Sequence, residues 1–207
     1  MAEAPLVHIV DDDDSVRDSL TVLLETAGFS VRAYASAAAF LELASHAVGC
    51  VLTDVQMPGL NGLELQRRMS EQGIRLPVIV MTGHGDVPIA VEAMKAGAAD
   101  FLEKPFDDEQ LLTAVTSAIA VGQRARDEVA AVAETVRRLA TLTPREHEVL
   151  DRLVAGQPNK TIAYDLGSSP RTVEVHRARV MEKMAARSLP ELVRMTIAAE
   201  PAKASGR

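Results

Sequence analysis

The 207-residue sequence has no tryptophan, only two tyrosines and four phenylalanines, and a single cysteine. With aromatics at 3% and hydrophobic residues at 47%, the core has to be built from aliphatic side chains. Cys50 can form no internal disulfide, and no pair of Cys and His residues has zinc-site spacing, so neither a disulfide scaffold nor a zinc module is expected. A reduced, cytoplasmic setting fits this usage, with Cys50 as a small buried thiol. No run reaches the roughly 18 apolar residues of a membrane span, and MAEAPLVHIV lacks the basic start of an export signal. A soluble protein with no membrane partner is the expectation.

Charge is divided unevenly. Residues 1–120 hold 7 Lys+Arg against 18 Asp+Glu, a net of −11, whereas residues 121–207 hold 15 against 11, a net of +4. The length allows two cores, and the asymmetry points to cation binding in the first and a polyanion partner for the second. Solubility alone would also explain either sign.

The first part alternates strand and helix. LVHIV (6–10) is a β-rich run, followed by four aspartates and then Val16, Leu20, Leu23, Leu24 and Ala27 at helical spacing. Residues 30–33 give a second strand, 36–45 a helix, and 49–54 a third strand. After a helix beyond Gly62, residues 77–81 form a fourth strand ending at Thr82-Gly83, Asp86 caps a helix with Pro88 in its first turn, and 100–102 make a fifth strand closed by Lys104-Pro105. Five alternations in about 120 residues predict an α/β fold with a five-stranded, doubly wound parallel sheet.

In such a sheet Asp11, Asp12, Asp54, Thr82 and Lys104 follow the carboxyl ends of strands and collect along one edge. An aspartate after a strand, taken alone, is more often a turn or cap residue. Several carboxylates together repel one another and raise each other's pKa unless a cation neutralises them. Few, hard oxygen ligands point to Mg²⁺, which keeps several waters and favours phosphate oxygens. A lysine, a hydroxyl and an acidic metal pocket suit a phosphoryl group, with an aspartate as nucleophile.

VDDD, VLTDVQMPG, VMTGHGD and FLEKPF, in this order and spacing, make residues 5–120 resemble the receiver domain of two-component response regulators, a flavodoxin-like fold. The resemblance implies that Asp54 accepts a phosphoryl group from a sensor histidine kinase. It also implies that Asp12, Asp54 and the backbone carbonyl of Gln56 ligate Mg²⁺, with Asp11 supporting the metal through water. Thr82 and Lys104 would hold the phosphoryl oxygens, with a cis bond between Lys104 and Pro105. Phe101 would turn inward as Thr82 moves; a plain core phenylalanine fits the spacing equally well. Asp13 and Asp14 read better as helix-capping residues. Gln56 and His84 beside the site are candidates to set the phosphoryl lifetime, and surface polarity explains them as well. Phosphorylation-dependent pairing of two receivers into a homodimer is expected.

Residues 122–140 read as a helical linker: Val129, Val132, Val136 and Leu139 form an apolar stripe, Gly122 is a candidate break, and packing on one of the domains is favoured over a coiled coil. From 141 to 207, helices are predicted at 144–155, 159–166, 170–184 and 189–198, with a Thr143–Glu146 capping box. Four short helices with a tight middle turn describe an all-α, four-helix helix-turn-helix domain. On the third helix Val173, His176, Val180 and Met184 share one stripe, which makes His176 a packing or phosphate-contact residue and not a metal ligand. Arg171, Glu174, Val175 and Ala178 project from the other side, beside Arg179. Val175 suits a thymine methyl and Glu174 a cytosine amine.

LTPREHEVL, GQPNKTIAYDL and SPRTVEVHRARVMEKM make residues 142–196 resemble the LuxR-type helix-turn-helix. That resemblance implies backbone anchoring by Lys160 and Arg179, with Arg171 and Thr172 also at the DNA and with Glu174, Val175 and Ala178 facing bases. The two parts together resemble regulators of nitrogen-fixation and microaerobic genes that serve a FixL-like, haem-containing kinase and activate RNA polymerase at promoter DNA. A phosphatase of the haloacid-dehalogenase type would need a second acid two residues after Asp54, where Gln56 stands; a docking module with a protein-binding helical tail is the third reading. The protein is not expected to be an enzyme beyond assisting its own phosphorylation and dephosphorylation.

Overall fold

The computed structural model describes residues 4–44, 47–83 and 87–204. His84 and Asp86 therefore lie outside the described residues, as does the end of the helix expected over 36–45. The chain divides into two compact units, Met1–Ala125 and Arg126–Arg207.

The first unit is a parallel sheet of β1 (Leu6–Val10), β2 (Ser30–Tyr34), β3 (Cys50–Asp54), β4 (Val78–Thr82) and β5 (Asp100–Glu103), in the spatial order β2-β1-β3-β4-β5. All neighbours are parallel. The central strands β3 and β4 are buried at every position, as a sheet covered on both faces requires, while the edge strands β2 and β5 are partly exposed. Successive side chains alternate between faces. Val7, Ile9, Leu52, Ile79 and Met81 meet Leu20 and Leu24 of α1 (Asp14–Thr26) and Leu111 and Val115 of α5 (Asp108–Leu139). On the opposite face Val51, Val78 and Val80 meet Phe40 of α2 (Ala37–Leu41), Leu65 and Met69 of α3 (Gly62–Glu71), and Ala93 of α4 (Val87–Lys95). The doubly wound architecture is the expected one; α2 is shorter than the periodicity predicts.

The linker does not form a separate helix. Gly122 was a candidate break, yet α5 runs unbroken from Asp108 to Leu139. A Cβ at Gly122 would stand 2.8 Å from Cγ and 2.9 Å from Cδ of Pro77, so this glycine permits close packing and does not end a helix. A buried neighbour can offset the roughly 1 kcal/mol that glycine costs inside a helix. At the other end of α5, Val136 and Leu139 join the core of the second unit, whereas Val129 remains exposed.

In that unit follow α6 (Pro144–Val154), α7 (Asn159–Asp165), α8 (Pro170–Met184) and α9 (Leu189–Ala204), the last extending six residues beyond the predicted 198. The Thr143–Glu146 capping box is present, and Ser169 caps α8 through the Thr172 N–H. Val149, Leu153, Ile162 and Val173 form one cluster; Leu150, Val180, Met184 and Leu192 form another.

Candidate functional site

The strand ends of the first unit converge on one ammonium. Lys104 Nζ lies 2.6 Å from Asp54 Oδ1 and 3.2 Å from Asp11 Oδ2, bringing together residues up to 93 positions apart. β1 and β3 are adjacent, so their last residues fall side by side, and the Lys104 N–H donates to the Thr82 carbonyl at 2.8 Å, which ties the β5 end to β4. The Lys104–Pro105 bond is cis. Each carboxylate is held further by backbone: the Gln56 N–H donates to Asp54 Oδ2 at 2.6 Å, and the Asp13 N–H to Asp11 Oδ1 at 2.9 Å. Arg17 donates to the Asp11 carbonyl at 2.7 Å, and Asp13 caps α1 by accepting from the Ser15 and Val16 N–H groups.

Both carboxylates are buried, and the ammonium is about one-third exposed. Burial pulls the Lys104 pKa down, but the hydrogen bond from Lys104 to Asp54 and the charges of Asp54 and Asp11 outweigh it and hold the pKa above its ordinary value. The ammonium is therefore charged across the physiological range. Cys50, at the start of the same strand as Asp54, is inert: burial pushes its thiol up to about 12.

Gly62 brings the start of α3 against this loop. A Cβ there would meet the Asp54 carbonyl oxygen at 2.3 Å, and the Gly62 N–H donates to the Val55 carbonyl. Thr82 is buried at the end of β4 with its Oγ1 3.4 Å from the Gly83 carbonyl. Phe101 is not a core residue. It is 38% exposed and, with Thr82, Ala90, Val91 and Met94, lines a groove of about 460 Å³ between β5 and α4. Asp12 and Gln56 are exposed at the mouth of the edge.

The expected cluster of three carboxylates is thus two buried carboxylates bridged by lysine with Asp12 outside, and among the described residues no group of three acidic, His or Cys side chains forms a metal cage. This donor set fits Mg²⁺, which takes one or two carboxylates and keeps its waters, and does not fit an ion that needs a closed protein cage.

In the second unit Val173, Val180 and Met184 are buried, with His176 half-buried beside them. Arg171, Thr172, Glu174, Val175, Ala178 and Arg179 of α8 and Lys160 of α7 are exposed. Arg177 is engaged with Asn159 Oδ1 at 3.3 Å.

Residues 7–116 match the family of response regulator receiver domains, and residues 140–196 match the bacterial regulatory proteins of the luxR family. The transcriptional regulatory protein FixJ of Azorhizobium caulinodans is 55% identical over 205 residues, covering 99% of this chain and 97% of that protein. The chain belongs to the FixJ-type response regulators. Among solved structures, response regulator StyR is 39% identical with a TM-score of 0.81, covering 94% of this chain and 98% of its own. Full-length FixJ from B. japonicum is 49% identical with a TM-score of 0.61, covering 96% and 98%. This response regulator therefore pairs a receiver with a LuxR-type DNA-binding domain and acts in transcription regulation. Its family is generally not enzymatic, receivers of the family typically use Mg²⁺, and a kinase and promoter DNA are the partners the architecture implies. No helix among the described residues is long and apolar enough to cross a membrane.

Several contacts of the regulator escaped the reading of its sequence. Lys183 on α8 binds buried Glu146 at 2.6 Å and the Thr141 carbonyl at 3.1 Å. Arg145 spans from α6 to the Leu166 carbonyl at the helix-turn-helix bend. Tyr164 on α7 is 88% exposed. The burial of Ile162, Ala163 and Leu166 on the α7 wheel was the available signal for Tyr164; nothing in sequence pairs Glu146 with a lysine 37 residues away.

Proposed function

We propose that Asp54 accepts a phosphoryl group from the phosphohistidine of a FixL-like sensor kinase, in the cytoplasm, and that the modified protein forms a receiver-mediated homodimer that activates promoters. The observation that carries this reading is the single Lys104 ammonium between Asp54 and Asp11, at the sheet edge where open α/β folds bind ligands. An Asp54 oxygen attacks phosphorus, an O–P bond forms as the P–N bond breaks, and the leaving imidazole nitrogen takes a proton. Asp12, Asp54 and the Gln56 carbonyl would hold Mg²⁺, with Asp11 supporting it; the ion would neutralise phosphoryl oxygens and offset the charge repelling the donor. Lys104 stays protonated and exchanges one carboxylate partner for a phosphoryl oxygen, while the Thr82 hydroxyl donates to another.

Phosphorylation adds about two negative charges beside Thr82. Thr82 moving inward would open space for Phe101, whose exposed ring already borders the groove shared with Thr82. The face of α4, β5 and the first part of α5 would then pair receivers. On DNA, Glu174, Val175 and Ala178 of α8 would face bases, and Lys160, Arg171, Thr172 and Arg179 would bind the backbone or flank it. The FixJ names of the similar proteins fit nitrogen-fixation genes as targets; microaerobic genes, a haem-containing oxygen-sensing kinase upstream and activation through contact with RNA polymerase belong to the same proposal.

The test is phosphorylation by a small-molecule phosphodonor with Mg²⁺, read by intact mass and light scattering. One acid-labile phosphate and a doubled mass are expected. The Asp54→Asn variant should take up none while keeping its fold, and persistent phosphate in that variant would falsify the assignment.

A further inference from the structure

The second unit presents a face that the base-reading helix does not explain. α7 buries Ile162 and Ala163, which turns Lys160, Thr161 and Tyr164 to solvent. Lys160 and Tyr164 stand four residues apart and so share one helix face. All three side chains carry donors, and none has a hydrogen-bond or ion-pair partner among the described residues. Tyr164 is the most exposed large hydrophobic residue described, at 88%. An aromatic ring so placed contributes nothing to the core.

The surroundings select a polyanion. Between Asn159 and Thr172 the sequence has one carboxylate, Asp165, and it faces Arg152 at 3.9 Å. The Gly167 N–H donates to the Tyr164 carbonyl at 3.1 Å, which sets Tyr164 at the bend leading into α8. The first turn of α8 then continues the run of exposed donors with Arg171 and Thr172. A face rich in donors and poor in acids, continuous through the bend, suits phosphate oxygens better than a protein surface, which would present donors and acceptors together.

We infer that Tyr164 is a DNA-backbone anchor: its hydroxyl donates to a phosphate beside the one neutralised by Lys160, and its ring packs on the adjoining sugar. This rests on the DNA-binding role of the unit and adds a contact that is neutral, and therefore independent of sequence and nearly independent of salt. Lysine contacts release counterions and steepen the salt dependence; a tyrosine hydroxyl does not.

The experiment titrates the full-length protein, treated with phosphodonor and Mg²⁺, against a random-sequence duplex at several salt concentrations. Tyr164→Phe should weaken binding about five- to tenfold at every salt, with the slope of log K against log salt unchanged. Lys160→Ala should reduce the magnitude of that slope by about 0.9. Thermal unfolding of Tyr164→Phe should match the parent, because the residue lies outside the core. Parent-like affinity of Tyr164→Phe overturns the inference; if transcription then falls, the face belongs to a protein partner such as the polymerase. A parent protein that binds no duplex would instead sink the DNA-binding reading itself.

Discussion

Each unit buries carboxylate beside a lysine about one-third exposed, and the two arrangements differ in stoichiometry. In the first, one ammonium serves two carboxylates, Asp54 and Asp11, and exposed Asp12 adds a third negative charge nearby. In the second, one ammonium serves one carboxylate: Glu146 accepts from Lys183 at 2.6 Å and from the Thr143 N–H at 2.8 Å, while Lys183 also reaches the Thr141 carbonyl. The Lys183 hydrogen bond, followed by that of the Thr143 backbone, pulls the Glu146 pKa down to about 2. A matched pair staples helices together, whereas an unmatched one leaves charge to be completed by an ion or a substrate. Charge balance, more than burial, separates the candidate active site from the staple.

The comparison breaks most readily at Lys104. Lys104→Met should lower the initial rate of phosphoryl uptake from a small phosphodonor by about a hundredfold or more, measured by intact mass. An unchanged rate would make Lys104 a staple like Lys183. The converse is a stability effect without a chemical one. Glu146→Ala removes a capping box and leaves Lys183 without its carboxylate, and should cost about 3 kcal/mol in urea unfolding followed by a probe of the second unit, with phosphoryl uptake unmoved. Glu146→Gln keeps the cap, since glutamine serves at that position, and should cost about 1 kcal/mol.

Titration sharpens the contrast. The folded Glu146 pKa is depressed, so its contribution is complete above the ordinary value of 4.5 and is lost as pH falls toward about 2. Parent and Glu146→Gln unfolding curves should therefore converge across that window. Lys104 has the opposite sign: its raised pKa gives stability that is complete below 10.5 and is lost as pH rises through the higher folded value. Alkaline unfolding of the parent and of Lys104→Met should converge above pH 10.5. The smallest effect concerns backbone strain in the second unit. Ala185 ends α8 at φ 51, a left-handed conformation, and Ala185→Gly should stabilise that unit by roughly 0.5–1 kcal/mol in the same urea assay.

Much of the fold was legible because local and global signals agree. The β-branched runs are the buried central strands, and Asp13, Thr143 and Ser169 cap helices as their side chains dictate. The meeting of Asp11, Asp54 and Lys104 follows from parallel strands alone, since each stands at or just past a carboxyl end. Partners across the fold were not legible. Gly122 reads as a candidate break because its neighbour Pro77 is 45 residues away, and Phe101 stays open between switch and core because spacing cannot say which face of an edge strand is covered. The exposure of Asp12 was not legible for a similar reason: it follows a buried strand, but its neighbour Asp11 takes the inward direction and the lysine.

The reach of Lys104 back to Asp11 also orders events during translation. The pocket needs β1, β3, β4 and β5 together, and the sheet needs Leu111 and Val115 of α5 to cover it, so no chain shorter than the first unit can receive a signal, whereas the 82 residues after Ala125 in this sequence lie outside that unit. At about 5–20 residues per second, those residues take roughly 4 to 16 s to add. A kinase could thus charge the first unit before the ribosome has finished the second.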